Sequence, residues 1–213
     1  MAGCCAPTEY RKLFNRRVAE KDAQRYRTRG LTGTARALAD LAGDVTGESI
    51  LDVGGGIGAI ELELLAAGAE RATNVEISGA YEAAAETLLT ERGLAHRVER
   101  RVGDFVADAP TIEIHDVVVM HRVVCCYPDA DTLVGDAADH ARRLLLLTYP
   151  QERVLICVGV RVVNFFLRVS RCGFRTYAHP VERIHAQAAG HGLVLQSRRR
   201  EGLLWESAAF ARG

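Results

Sequence analysis

The residues of this chain best suited to chemistry are Asp52, the glycines Gly54, Gly55, Gly56 and Gly58, Glu76 with Ile77, Asp104 with Phe105, and His121. Ile50-Leu51-Asp52-Val53 reads as an apolar strand with an acidic end. Gly54-Gly55-Gly56-Ile57-Gly58-Ala59 then reads as a turn feeding a helical pattern of Glu61, Leu62, Leu64 and Leu65. A turn without side chains lets backbone approach a bound nucleotide, because side chains at Gly54, Gly56 and Gly58 would collide with it. A carboxylate such as that of Glu76 is a natural bidentate acceptor for a diol. Each residue also has an ordinary reading: Glu76 as a solvated strand end, Asp104 as a turn or helix-capping residue, Phe105 as core packing. Their order along the chain carries the inference.

The cysteine pairs Cys4-Cys5 and Cys125-Cys126 would suit a soft metal or arsenic-like substrate if the N-terminal pair folded over the site. Adjacent cysteines do not match the spacing of zinc ligands, so no metal is assigned. The plainer reading is buried loop thiols, with Cys157 and Cys172 as packing residues.

The elements that must position these groups alternate in type. Residues 9–43 read as helical, with one stripe of Tyr10, Leu13, Phe14 and Val18 and a second of Ala37, Leu38 and Leu41. Gly30 and Thr32-Gly33-Thr34 break the two, with Thr32 or Thr34 as N-cap. Strands follow at 49–53, 71–77, 98–103, 116–120 and 143–148, and helices at 59–67, 80–92 (Ala83, Ala84, Leu88 and Leu89 inward) and 129–142. Such alternation predicts a parallel sheet covered on both faces. After a helix near 181–191, the extended runs 193–199 and 203–210 are separated only by Glu201-Gly202, which permits only an antiparallel hairpin. The apolar stretch Val154–Leu167 is either a lid over the site, a helix buried in the core, or a dimer contact.

Length and composition set limits. At 213 residues, with 48% hydrophobic and 25% charged residues, the chain suits one globular domain. Its formal net charge of zero gives no global pull toward nucleic acid or an anionic membrane. No secretory signal is evident at the N-terminus. No apolar stretch approaches the roughly 20 residues needed to span a bilayer. A cytoplasmic protein with reduced thiols is expected.

Glycine turn, acidic strand end, Gly103-Asp104-Phe105, the apolar run Asp116-Val117-Val118-Val119-Met120 and the terminal hairpin together resemble the class I S-adenosylmethionine-dependent methyltransferases. The resemblance covers about residues 48–210. At the level of His121 to Asp129, with Tyr127-Pro128, it is similar to small-molecule enzymes related to magnesium-protoporphyrin O-methyltransferase, although the double cysteine departs from their loop. It implies a Rossmann-like α/β fold with a seven-stranded, mostly parallel sheet and an antiparallel C-terminal hairpin strand. Helices cover both faces, an N-terminal helical cap spans 1–46 and a cofactor-binding core spans 47–213. S-adenosyl-L-methionine is the implied cofactor: its methionine part lies on the turn after Asp52, its ribose on Glu76 with Ile77, and its adenine on Asp104 and Phe105. His121 then stands where the methyl acceptor should lie, as a general base for an oxygen or nitrogen nucleophile or as a cofactor contact. Tyr127 shapes the acceptor pocket. Tyr10, Phe14 and Tyr26 are candidate walls for a small, apolar or aromatic acceptor.

Several rivals remain open. Gly54-x-Gly56-x-x-Ala59 also fits a nicotinamide dinucleotide fingerprint, but Asp52 is atypical there and the chain leaves no room for a separate substrate domain. A non-catalytic cofactor-binding or scaffold protein would keep the same carboxylates. A metalloid or thiol methyltransferase would use the cysteine pairs. A nucleic-acid methyltransferase is disfavoured, because the loop after Met120 lacks an (Asn/Asp)-Pro-Pro-aromatic motif and no basic, aromatic-laced extension exists; Arg198-Arg199-Arg200 reads as a solvated turn. A homodimer is possible on sequence grounds.

Overall fold

The computed structural model describes Tyr10 and residues 12–213. Its centre is a seven-stranded sheet in the order β3-β2-β1-β4-β5-β7-β6. The strands are β1 (Ser49–Val53), β2 (Arg71–Glu76), β3 (Val98–Val102), β4 (His115–His121), β5 (Ala141–Pro150), β6 (Leu193–Glu201) and β7 (Trp205–Arg212). The first five pair in parallel, whereas β7 runs antiparallel to both β5 and β6. The hairpin expected at Glu201-Gly202 is present.

Neighbouring residues along a strand point to opposite faces, so continuous apolar strands feed two cores. Ile50, Val117, Leu144 and Leu146 face one core, with Tyr26, Leu38, Leu62, Leu65 and Leu88. Leu51, Val118, Met120, Leu145 and Leu147 face the other, with Leu133, Val134, Ile184 and Phe210. The first core is covered by α1 (Arg16–Arg29), α2 (Gly33–Leu41), α3 (Ala59–Ala66) and α4 (Glu82–Glu91), the second by α5 (Ala130–Asp139) and α7 (Val181–Gly190). The remaining long helix, α6 (Val154–Val169), has no buried residue.

The structure corrects several expectations. The first helical stripe is interrupted at Asn15, whose side chain accepts from the Val18 N–H and caps α1. Ala85, not Ala83, turns inward on α4. Helix α5 stops at Asp139, and β5 starts already at Ala141. Exposure of α6 rules out the core-helix reading of 154–167: both sheet faces are filled by other helices. Cys4 and Cys5 lie outside the described residues.

Candidate functional site

Strand order reverses at β1, whose neighbours β2 and β4 lead away in opposite directions. In open α/β sheets such a switch point opens a crevice at the carboxyl ends of the strands. Asp52, Glu76 and His121 stand at the ends of β1, β2 and β4. All three, with Gly54, Gly55, Gly56 and Ile77, line one cavity of about 460 Å³. Its far wall comes from the N-terminal segment: Tyr10, Phe14, Asp22, Arg25, Tyr26 and Thr34.

The glycine turn is demanded by the protein's own crowding as well as by any ligand. Gly54 has φ +65°, and a Cβ there would lie 2.6 Å from Val123 Cγ2. Gly58, at φ +78°, caps α3, and its Cβ would meet the Glu61 carboxylate at 2.1 Å. Left-handed backbone of this kind is natural only to glycine.

Glu76 is buried and laces the turn to β2. Its Oε2 accepts from the Gly56 N–H at 3.0 Å and its Oε1 from the Ser78 N–H at 2.8 Å. One lone pair on each oxygen remains for a ligand facing the cavity. Burial raises its pKa, against the hold of those two N–H groups and Arg100. Asp52 is more extreme: it is 1% exposed, and neither carboxylate oxygen makes a well-formed hydrogen bond, the Glu61 N–H being the one backbone donor that eases its charge. Burial first, and then the Glu61 carboxylate, push its pKa well above the normal range. Buried acceptors are almost always paired, so Asp52 awaits a donor from the cavity.

Beneath the turn lies a polar platform that sequence reasoning missed. Asn74 Nδ2 donates to Glu61 Oε2 at 2.9 Å, and the Arg100 NH2 group donates to Glu82 Oε1 at 2.8 Å and to the Gly56 carbonyl at 2.9 Å. Burial opposes the charge on Arg100, but Glu82, Glu61 and Glu76 hold it cationic. Glu61 on the buried face of its helix, Asn74 inside a strand and Arg100 in the strand beside it were the available signals.

Asp104 and Phe105 line a narrow apolar recess next to the cavity, with Val53, Val75, Ile77 and Leu133. Asp104 also fills its ordinary role, capping the helical turn Phe105–Asp108 through the Val106 N–H at 3.1 Å. Phe105 is both a recess wall and a core residue, edge-on to His140 at 5.6 Å between centroids. Tyr127 belongs to the recess and not to the larger cavity, and its hydroxyl donates to Asp104 Oδ2 at 3.3 Å.

His121 Nε2 lies 2.8 Å from Thr34 Oγ1 on α2. Burial, helped by Arg122 and Arg25, pushes its pKa down to about 4, so the imidazole is neutral at pH 7. Arg122, also unanticipated, has φ 60° and stacks its guanidinium 4.5 Å from the centroid of the Trp205 ring. It lines the cavity and forms no ion pair among the described residues. A non-glycine residue held in left-handed backbone costs of order 1–3 kcal/mol and persists only where its surroundings fix it. Cys125 and Cys126 bring their sulfurs within 3.7 Å, and Cys126 lines both cavity and recess. Its bond to Cys126, and then Arg122, lower the Cys125 pKa against burial. Among the described residues no cluster of His, Cys, Asp or Glu could hold a metal ion.

The acceptor set fits an adenosyl amino acid: a buried carboxylate for an ammonium, a half-satisfied carboxylate for a diol, and an apolar recess with the Asp104 carboxylate among its walls.

No protein-family model matches the chain, and no curated protein matches it in sequence. Solved structures do match in shape. Magnesium protoporphyrin IX methyltransferase from Synechocystis PCC 6803, with bound S-adenosylhomocysteine, superposes with a TM-score of 0.69 at 17% identity, covering 97% of this chain and 94% of that one. Geranyl diphosphate methyltransferase, in complex with geranyl diphosphate and sinefungin, gives 0.68 at 16% identity over 84% of this chain and 76% of that one. The cyclase SpnF gives 0.61 at 16% identity over 83% and 80%. With its reversed terminal strand and glycine turn at the switch point, this chain has the fold of the class I S-adenosylmethionine-dependent methyltransferases.

Proposed function

We propose that this chain transfers the methyl group of S-adenosylmethionine to a small molecule held between the N-terminal helices and the ends of β1 and β4. The observation that carries this reading is Asp52, a buried carboxylate on the wall of a large cavity with no well-formed hydrogen bond to either oxygen. In this reading Asp52 receives the cofactor's ammonium and Glu76 the ribose diol. Ile77, Asp104 and Phe105 enclose the adenine, and residues 1–46 cap the core of 47–213. When bound, the cofactor supplies a methyl carbon made electrophilic by its sulfonium sulfur.

The protein's own part is alignment and exclusion of water. Tyr10, Phe14 and Tyr26 give the cavity an aromatic wall, suited to an apolar or aromatic acceptor body. Arg122, without a carboxylate partner, gives it one cationic corner for an anionic substituent. His121, neutral at physiological pH, takes a proton at Nε2 when the acceptor carries one, exchanging its bond to Thr34 for one to the acceptor. Its depressed pKa makes it a weak base, so it receives the acceptor's proton in step with methyl transfer and not ahead of it.

Calorimetry with S-adenosylhomocysteine tests the cofactor site, and incorporation of labelled methyl into a small-molecule pool tests the reaction. Lack of saturable S-adenosylhomocysteine binding overturns the reading. Cofactor binding without transfer is the second reading. It is favoured by the fold's presence in SpnF, whose structure is that of a cyclase. Tight binding with no labelled product from any acceptor pool would select it.

A further inference from the structure

Helix α6 is the anomaly of the molecule: sixteen residues rich in valine, leucine and phenylalanine, none of them buried. Val154, Leu155, Phe165, Phe166 and Val169 are 79%, 84%, 62%, 62% and 65% exposed. At about 100° per residue these positions, with Val158 and Val162, fall within an arc of about 120°. The opposite side is already taken: Ile156, Val160, Asn164 and Leu167 are half-buried. Asn164 exchanges two hydrogen bonds with the backbone of Thr176, and Leu167 packs on Tyr10, Cys172 and Phe174. The exposed face is therefore fixed outward.

Two further exposed leucines stand at the β6–β7 hairpin tip, which is tied to the segment leading into α6. Leu203 and Leu204 are 76% and 56% exposed. Gln151, just ahead of α6, clasps that tip through its N–H to the Leu204 carbonyl at 2.9 Å and its Nε2 to the carbonyls of Gly202 and Trp205. An exposed apolar arc of this size on one helix marks an interaction site.

Charge selects the occupant. From Arg153 to Val181 the chain carries Arg153, Arg161, Arg168, Arg171 and Arg175 and no carboxylate. None of these arginines forms an ion pair among the described residues. Arg161 and Arg168 stand at the border of the apolar arc, where long cationic side chains can reach a charged surface while the arc is immersed. A second copy docked α6 to α6 would bring two unneutralised arginine sets together. An anionic bilayer neutralises them.

We propose that α6 and the Leu203-Leu204 tip lie in the interface of an anionic lipid membrane, with the apolar arc immersed and the arginines at headgroup level. No helix among the described residues is long and apolar enough to cross a membrane, so attachment is peripheral. It is independent of what the crevice binds.

Co-sedimentation of the whole chain with vesicles tests this. Vesicles of phosphatidylcholine mixed with phosphatidylglycerol should pellet it. Pure phosphatidylcholine should bind at least tenfold more weakly, as should the mixed vesicles in roughly 1 M salt, where the Debye length shrinks to about 3 Å. F165S/F166S and R161Q/R168Q, both fully on the surface, should each lower vesicle binding about tenfold or more while S-adenosylhomocysteine binding stays unchanged. Failure to pellet with anionic vesicles overturns the proposal, as does equal binding to neutral ones. So does a concentration-dependent dimer that F165S/F166S dissolves, which would assign the face to a second copy.

Discussion

His121 Nε2 and Thr34 Oγ1 meet at 2.8 Å across 87 residues of sequence, tying the end of β4 to the first turn of α2. This bond closes the cavity between sheet and N-terminal helices. With a pKa near 4, the folded state keeps His121 neutral where the unfolded chain, near 6.5, takes up a proton. Between those values the unfolded state binds more protons, so stability rises with pH through this window and is fully recovered above it. His121→Asn should remove up to about 3 kcal/mol of the stability difference between pH 7 and pH 4. Urea unfolding of both proteins at the two pH values measures it.

Glu76 binds both the Gly56 and Ser78 N–H groups. Glu76→Ala should weaken S-adenosylhomocysteine by roughly 2–3 kcal/mol, as expected for charge-assisted hydrogen bonds. Calorimetry showing unchanged affinity removes Glu76 from the site. Glu76→Gln, which keeps one acceptor, should lose less.

Asp52 should reveal a conflict between fold and function. With both oxygens buried and neither well hydrogen-bonded, its charged form destabilises the free protein, and stability falls as pH rises from the normal carboxylate range toward its raised pKa. Asp52→Asn is therefore expected to raise stability by about 1–3 kcal/mol while weakening the cofactor at least tenfold. Thermal melts with and without S-adenosylhomocysteine separate the two effects. A variant both less stable and equally tight would sink the assignment.

Gly54→Ala places a methyl 2.6 Å from Val123 Cγ2 on backbone at φ +65°. The expected cost is about 1–3 kcal/mol. Adding Val123→Ala should recover the steric part and leave the conformational part, measurable as a double-mutant cycle.

Arg122→Gln should raise KM for an anionic acceptor with little change in cofactor affinity. It should also alter the emission of Trp205, the sole tryptophan, because the guanidinium over that ring is lost. Unchanged KM across charged and neutral acceptors would leave Arg122 a packing residue.

Local chemistry decided most of what could be read in advance. Strand and helix periods, the glycine turn after Asp52 and the two-residue break at Glu201-Gly202 follow from interactions between near neighbours, so one sequence displays them. The three carboxylates Asp52, Glu76 and Asp104 were legible because each ends a strand or opens a turn. The capping role of Asp104 was legible too, since Asp favours such positions; folding alone showed that Tyr127 joins the recess and that Ala85 replaces Ala83 on the inner face of α4. Only tertiary structure could assemble Glu61, Asn74 and Arg100 under the turn, set Thr34 against His121, stack Arg122 on Trp205, and leave α6 outside. Those outcomes depend on which distant surfaces compete for the two sheet faces, and periodicity records how apolar a segment is without recording whether any face is left to bury it.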